Sequence, residues 1–204
     1  MNKLLIVGAG GHGRVVADIA RLSPKYDEIA FVDDADINYS GGIKVVGRIN
    51  DIDTWLMDSS FIVAIGNNHT RSRIMTMLEA KGAKLTSLIH PSAVIADGVK
   101  IGLGSAVMAN AVINCGSRIG KGVIINTAAT VDHDNEISNF VHISPGVHLA
   151  GNVQVGELTW VGIGVNICNN VSVCGGCTIG AGAAVIDNID IKGTYIGVPA
   201  KWRG

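Results

Sequence analysis

From Ile95 to Ile191 an aliphatic residue returns at every sixth position, with no insertion to break the count. Ile95, Ile101, Val107 and Ile113 open the series, and Val173, Ile179, Val185 and Ile191 close it. Four residues after each stands a second column, mostly small or β-branched, as in Ser105, Ala111, Ser117, Val123, Ala129 and Val141. An amphipathic helix repeats its apolar positions about every 3.6 residues, and a half-buried strand every second residue. A period of six fits neither and predicts short strands stacked as a left-handed parallel β-helix. With three strands to the turn, one coil takes 18 residues, and the stretch holds somewhat over five coils. At about 4.8 Å between neighbouring strands the prism is roughly 25 Å long.

Residues 1–90 follow a different pattern. Leu4–Val7 reads as a short buried strand, followed by the glycine-rich Gly8-Ala9-Gly10-Gly11-His12-Gly13 and a helix from Arg14 to Leu22. Ile29–Val32 and Phe61–Ile65 read as further strands, Thr70–Lys81 as a second helix and Leu85–Ile89 as a last strand. Strands alternating with helices predict a parallel sheet with right-handed crossovers, a Rossmann-like half domain. The expected organisation is therefore an α/β domain over residues 1–90 and an all-β prism over residues 91–204. The prism's open ends and flat sides favour side-by-side association, and a threefold arrangement suits them.

Composition sharpens this picture at a few points. Hydrophobic residues make up 48% of the chain but aromatic residues only 4%, so small β-branched side chains must build the core. A formal net charge of -1 offers no basic field, and no nucleic-acid partner is expected. The opening MNKLLIVGAGGHG loses its apolar run to glycines after four residues, too few for a secretory core or a membrane span. A soluble cytoplasmic protein without membrane insertion is expected. Cys174 and Cys177 form a lone C-x-x-C with no second pair and no neighbouring histidine; Cys177 reads as a small core residue, and no metal is expected.

Gly8-x-Gly10-x-x-Gly13 between a strand and a helix is a phosphate-cradling arrangement, because glycines allow close approach to free N–H groups at the helix start. Asp33 stands twenty residues beyond Gly13, where a ribose hydroxyl would be met. About 90 residues supply one mononucleotide-binding half, which suits a nucleoside diphosphate better than a dinucleotide. On the coils, His133, His142 and His148 fall within one coil-length stretch, and imidazole rings there should point outward. His133 is bracketed by Asp132 and Asp134, which would raise its basicity and fix its tautomer. Adjacent residues on a strand face opposite ways, so Asp134 can orient the ring only at a coil corner.

These residues resemble the bacterial sugar acyltransferases with left-handed β-helices, of the PglD/NeuD type. The resemblance runs through Gly8–Gly13, Phe31-Val32-Asp33-Asp34, Ala64–Asn68, Asn126-Thr127 and Val131-Asp132-His133-Asp134. It continues in His142-Ile143-Ser144-Pro145-Gly146, Ala150–Val153 and the closing Gly197–Lys201. It implies a homotrimer that takes acetyl-CoA along the groove between adjacent prisms. It also implies transfer of the acetyl group to the 4-amino group of a UDP-linked 4-amino-4,6-dideoxy sugar, for glycan or polysaccharide biosynthesis. By this resemblance Gly10, Gly11 and His12 lie near the diphosphate, Asp33 and Asp34 near the uridine, and Asn67 by the same pocket, with Asn126 also on the substrate. His133 matches the general base with Asp134 beside it, and Gly151 the backbone N–H that holds the oxyanion. His142 matches the histidine at the thioester end of acetyl-CoA, and Ile163 and Ala181 match positions lining the coenzyme. Amino-sugar enzymes often carry Glu after the catalytic histidine, and Asp134 also suits acetylation of a sialic-acid-like or other sugar hydroxyl. Two readings of other classes stand beside these: a non-catalytic scaffold that senses a nucleotide, and a zinc role for the coil histidines.

Overall fold

The computed structural model describes residues 2–203, which divide into two compact units, one ending at Leu88 and one starting at Ile89. Among the described residues no helix is long and apolar enough to cross a membrane.

In the first unit β1 (Lys3–Val7), α1 (Gly11–Arg21), β2 (Glu28–Val32), β3 (Tyr39–Ser40), β4 (Ile43–Gly47), β5 (Ser59–Val63), α2 (Asn68–Ala80) and β6 (Lys84–Leu85) follow in chain order. They build a six-stranded sheet in the order β3-β4-β2-β1-β5-β6, parallel except for the β3–β4 hairpin. Leu4, Leu5, Ile6 and Val7 are fully buried, as strands covered on both faces require. Helix α1 begins at Gly11, three residues earlier than the sequence suggests, so the last glycines of the loop form its first turn. Gly13 is essential there, because a Cβ on it would collide with the carbonyl oxygen of Gly8. The β3–β4 hairpin and a 3-10 helix over Ile49–Trp55 have no counterpart in the sequence reading, since neither carries a long apolar period. The single strand expected over Leu85–Ile89 is two pieces: β6 ends the sheet of the first unit, and Leu88–Ile89 joins the stack of the prism.

The second unit is the expected left-handed β-helix. Each two-residue strand pairs in parallel with the strand 18 residues on, as in Val112↔Thr130, Thr130↔His148 and His148↔Asn166. Three faces result. The first carries Ile124–Ile125, His142–Ile143, Trp160–Val161 and Thr178–Ile179. The second carries Val112–Ile113, Thr130–Val131, His148–Leu149 and Asn166–Ile167. The third carries Arg118–Ile119, Glu136–Ile137, Gln154–Val155 and Ser172–Val173. The six-residue aliphatic column lines the interior, with Val107, Ile113, Ile125, Val131, Ile143, Val161 and Ile179 fully buried. At each corner one residue turns left-handed, from Gly98 (φ 79°) through Ala128, Asp134 (φ 58°) and Asn152 (φ 57°) to Gly182 (φ 68°). Only the last step of the sequence register fails. Ile191 is 70% exposed and Ile189 takes the inner place, bridging to Val173. Ser172 N–H is held by the Asn188 side chain, and the final coil closes two residues short.

Candidate active site

Two concave regions collect the residues singled out by the sequence, one in each unit. In the first unit a cleft of about 440 Å³ is lined by Gly10, Gly11, His12, Asp33 and Asp34, with Gly66, Thr70 and Arg73 opposite. Helix α1 opens into it with Gly10 as N-cap and no side chain capping the turn, so the positive end of the helix faces the cleft. Asp33 is an internal brace as well as a lining residue: Oδ2 accepts the Ala9 N–H at 2.6 Å and Oδ1 the Ala35 N–H at 2.8 Å. Asp34 accepts the Ile49 N–H at 2.9 Å. Burial, with the Arg71 guanidinium adding to it, pushes His12 down to about 4, so its imidazole is neutral at physiological pH. The fully buried Arg71 donates to the Ile65 and Gly66 carbonyls and to Asn68 Oδ1 and thereby fixes the far wall. Positive charge in the lining itself comes from Arg73, which sequence reasoning missed because an exposed arginine on a helix carries no pattern. Asn67 stands outside the lining; its side chain caps α2 by accepting the Thr70 N–H at 2.9 Å.

On the prism, His133 and Asp134 occupy the corner between the second and third faces. The left-handed conformation of Asp134 answers the question of how neighbours on one chain can face each other: at the corner its carboxylate swings back, and His133 Nδ1 lies 2.9 Å from Asp134 Oδ2. With Nδ1–H donating to this carboxylate, Nε2 carries the lone pair. The Asp134 hydrogen bond, with the charges of Asp132 and Asp134 behind it, raises the basicity of His133 despite partial desolvation. Asp132 is held below the usual carboxylate range by the Asn114 side chain at 2.9 Å and by the His133 N–H at 2.9 Å. One coil on, Gly151 lies directly against the ring. A Cβ there would sit 2.5 Å from both Cε1 and Nε2 of His133. The Gly151 carbonyl accepts from Asn170, while its N–H makes no hydrogen bond among the described residues. The lone-pair nitrogen thus packs against the residue whose backbone donor is unspent.

The other prism positions lie elsewhere. Asn126 Nδ2 is 3.1 Å from His142 Nε2 on the first face, and the His142 ring stacks on Trp160 at 6.4 Å. Trp160 is half-exposed and tied to Ser144 Oγ at 2.9 Å. Its place in the outward column gave no sign of this stack, which needs the 18-residue pairing to be seen. Ile163 and Ala181 are exposed at the corner between the first and second faces, where the Gly182 N–H bonds the Ile163 carbonyl. Within one chain the second face therefore separates the His133–Gly151 edge from the Ile163–Ala181 edge. Cys174 and Cys177 approach to 3.4 Å between sulfurs, with Cys177 buried and pushed up to about 11 by that burial. Among the described residues no three His, Cys, Asp or Glu side chains converge to hold a metal ion.

Replacing Asp134 with asparagine is expected to move the acidic limb of the kcat/KM–pH profile to lower pH. The hydrogen-bonded carboxylate raises the imidazole above its ordinary value, so removing it lets the ring lose its proton at lower pH. The plateau should drop about tenfold, because the weaker base is also less firmly oriented. A pH–rate series on both proteins checks this, and an unmoved limb would count against His133 as the titrating group.

Residues 3–78 match the family model described as the PglD N-terminal domain. The chain is 44% identical to the acetyltransferase domain of PglB from Neisseria gonorrhoeae FA1090, solved in complex with acetyl coenzyme A, with a TM-score of 0.96 over 98% of each chain. It is 37% identical to PerB from Caulobacter crescentus, solved in complex with CoA and GDP-perosamine, with a TM-score of 0.94 over 99% of this chain and 97% of that one. A curated relative, the UDP-N-acetylbacillosamine N-acetyltransferase of Bacillus subtilis (strain 168), is 35% identical over 113 residues. That match spans 53% of this chain and about half, 52%, of the Bacillus protein.

Proposed function

Since the chain belongs to the PglD-type family of bacterial sugar acetyltransferases, we propose that it uses acetyl-CoA to acetylate the amino group of a UDP-linked 4-amino-4,6-dideoxy sugar. The observation that carries this reading is the pairing at the prism corner: His133 with Nδ1 held by Asp134, and its Nε2 packed against Gly151.

The chemistry is direct transfer. The sugar amine attacks the thioester carbonyl carbon as His133 Nε2 takes the proton that the nitrogen must shed. The carbonyl oxygen becomes an oxyanion, stabilised by the Gly151 N–H; one such donor contributes about 3 kcal/mol. The C–S bond then breaks, and His133 returns its proton to the departing CoA sulfur. The glycine cleft of the first unit takes the nucleotide diphosphate on the helix N-terminus and Arg73, with neutral His12 as a hydrogen-bonding partner. UDP is favoured by the Bacillus relative, while the GDP-perosamine in the Caulobacter complex makes a GDP sugar the runner-up.

A homotrimer completes the site. The base edge and the coenzyme edge stand on opposite borders of the second face, so one chain cannot close a groove from both. In a threefold array the base edge of one prism meets the Ile163–Ala181 edge of the next, and acetyl-CoA lies between. The same arrangement would bring His142 to the thioester end.

The test is incubation of the purified protein with acetyl-CoA and a panel of UDP- and GDP-linked 4-amino-4,6-dideoxy sugars, CMP-sialic acid and free sialic acid. Mass spectrometry reads the products. The expected product is one base-stable acetamide on the UDP amino sugar. Base-labile acetylation of a hydroxyl would move the protein to the O-acetylating branch, and no CoA release with any acceptor would leave only the scaffold reading.

A further inference from the structure

We propose that Asn135 is a positioning residue that ties the base to the oxyanion donor. It rests on the reading of His133 and Gly151 given above. Asn135 stands in the interior column otherwise filled by small or aliphatic side chains, between Ser117 one coil before and Val153 one coil after, and it is 1% exposed. An amide of this size in an apolar column must find partners for all its polar atoms, and Asn135 does.

Its Oδ1 accepts the Val153 N–H at 3.0 Å. Its Nδ2 donates to the Asp132 carbonyl at 2.7 Å and to the Ala150 carbonyl at 3.0 Å, with the His133 carbonyl at 3.4 Å. Asp132 immediately precedes the base, and Ala150 immediately precedes the oxyanion donor. One buried NH2 group thus grips the peptide unit ahead of His133 and the peptide unit whose nitrogen belongs to Gly151.

Other polar residues of these columns show what is special here. Ser105 donates to the Gly120 carbonyl and accepts the Val123 N–H, and Ser117 likewise donates to the Asp132 carbonyl and accepts the Asn135 N–H. Each hydroxyl reaches one carbonyl in the following coil. The longer Asn135 side chain makes that same cross-coil pair, to Ala150 and Val153, and also reaches back to its own corner. Ser117 closes the clamp from below on the same Asp132 carbonyl. Two consequences follow. The distance between His133 Nε2 and the Gly151 N–H is fixed by a tie across the two coils rather than by the corner loops alone. The Gly151 N–H is also a stronger donor, because hydrogen bonding to a peptide carbonyl polarises the N–H of the same unit.

The experiment is steady-state kinetics of the assembled Asn135→Ser protein beside Ser105→Ala and His133→Ala. Serine is already housed in this column at Ser117, so the variant should fold; Asn135→Cys serves if it does not, since the interior already accommodates a thiol at buried Cys177. The expected result is a kcat lowered about ten- to a hundredfold, with both KM values within about twofold and the acidic limb of the pH profile unmoved. Ser105→Ala removes a comparable rung at the corner between the third and first faces, and should lower the melting temperature without touching kcat. An Asn135→Ser enzyme with kcat near the parent, or one whose loss in kcat is matched by Ser105→Ala, overturns the proposal. His133→Ala keeps the two ideas apart. If it retains turnover, the base assignment itself has failed; if it is inactive while Asn135→Ser is normal, only the role of Asn135 has.

Discussion

Replacing His133 with alanine should lower kcat by about 10²–10⁴-fold, the usual contribution of a positioned proton acceptor. The imidazole is 53% exposed and lies outside the aliphatic interior, so its loss removes a base without opening a cavity. Oligomeric state by light scattering and acetyl-CoA affinity by calorimetry should match the parent protein. Residual turnover should climb with pH, since an acceptor amine that is already neutral still has to lose a proton after attack. A kcat within about threefold of the parent would remove His133 from the mechanism and with it the general-base reading of the corner.

Gly151→Ala should be nearly as damaging, by about 10²–10³-fold in kcat, although it adds one methyl group and removes nothing. The backbone at Gly151 is not left-handed, so alanine is tolerable there as a conformation. What it meets is the ring: its Cβ would lie 2.5 Å from Cε1 and Nε2 of His133, and the imidazole must swing away from the donor it works beside. The signature is non-additivity. In a His133→Ala background, where the ring is gone, adding Gly151→Ala should cost little more, and kinetics of the four proteins of the cycle would read this directly. Full additivity of the two losses would mean that Gly151 acts independently of the ring.

Much of this molecule was legible in the sequence because a stacked prism writes itself as a strict period. One aliphatic residue in six fills the same interior site on every strand, so Ile95 to Val185 fall where the count puts them. Ile191 misleads because the period says nothing about where the winding stops; the shortened last coil hands its inner place to Ile189. In the first unit the Gly8–Gly13 loop and its flanking strand were plain, whereas β3, β4 and the 3-10 helix rest on contacts that local pattern does not encode. The acidic bracket at His133 was visible as Asp-His-Asp, but its geometry required the left-handed turn at Asp134. Two partners of that corner were hidden because they stand about a coil before it: Asn114 and Ser117 meet Asp132 only after the chain has gone round. Asn67 carries a local duty that the motif did not announce, since its side chain caps α2.

The arithmetic of the winding has a bearing on how such a chain can vary in length. His133 and Gly151 touch because 18 residues carry the backbone once around the axis. Deleting a single residue between them would rotate every later side chain out of phase, turn interior valines toward solvent and take the glycine away from the imidazole. Duplicating one complete circuit beyond Asn170 would instead lengthen the column and leave the reacting corner untouched. Changes of length that keep this corner intact are therefore outgrowths at the bends and additions of whole circuits.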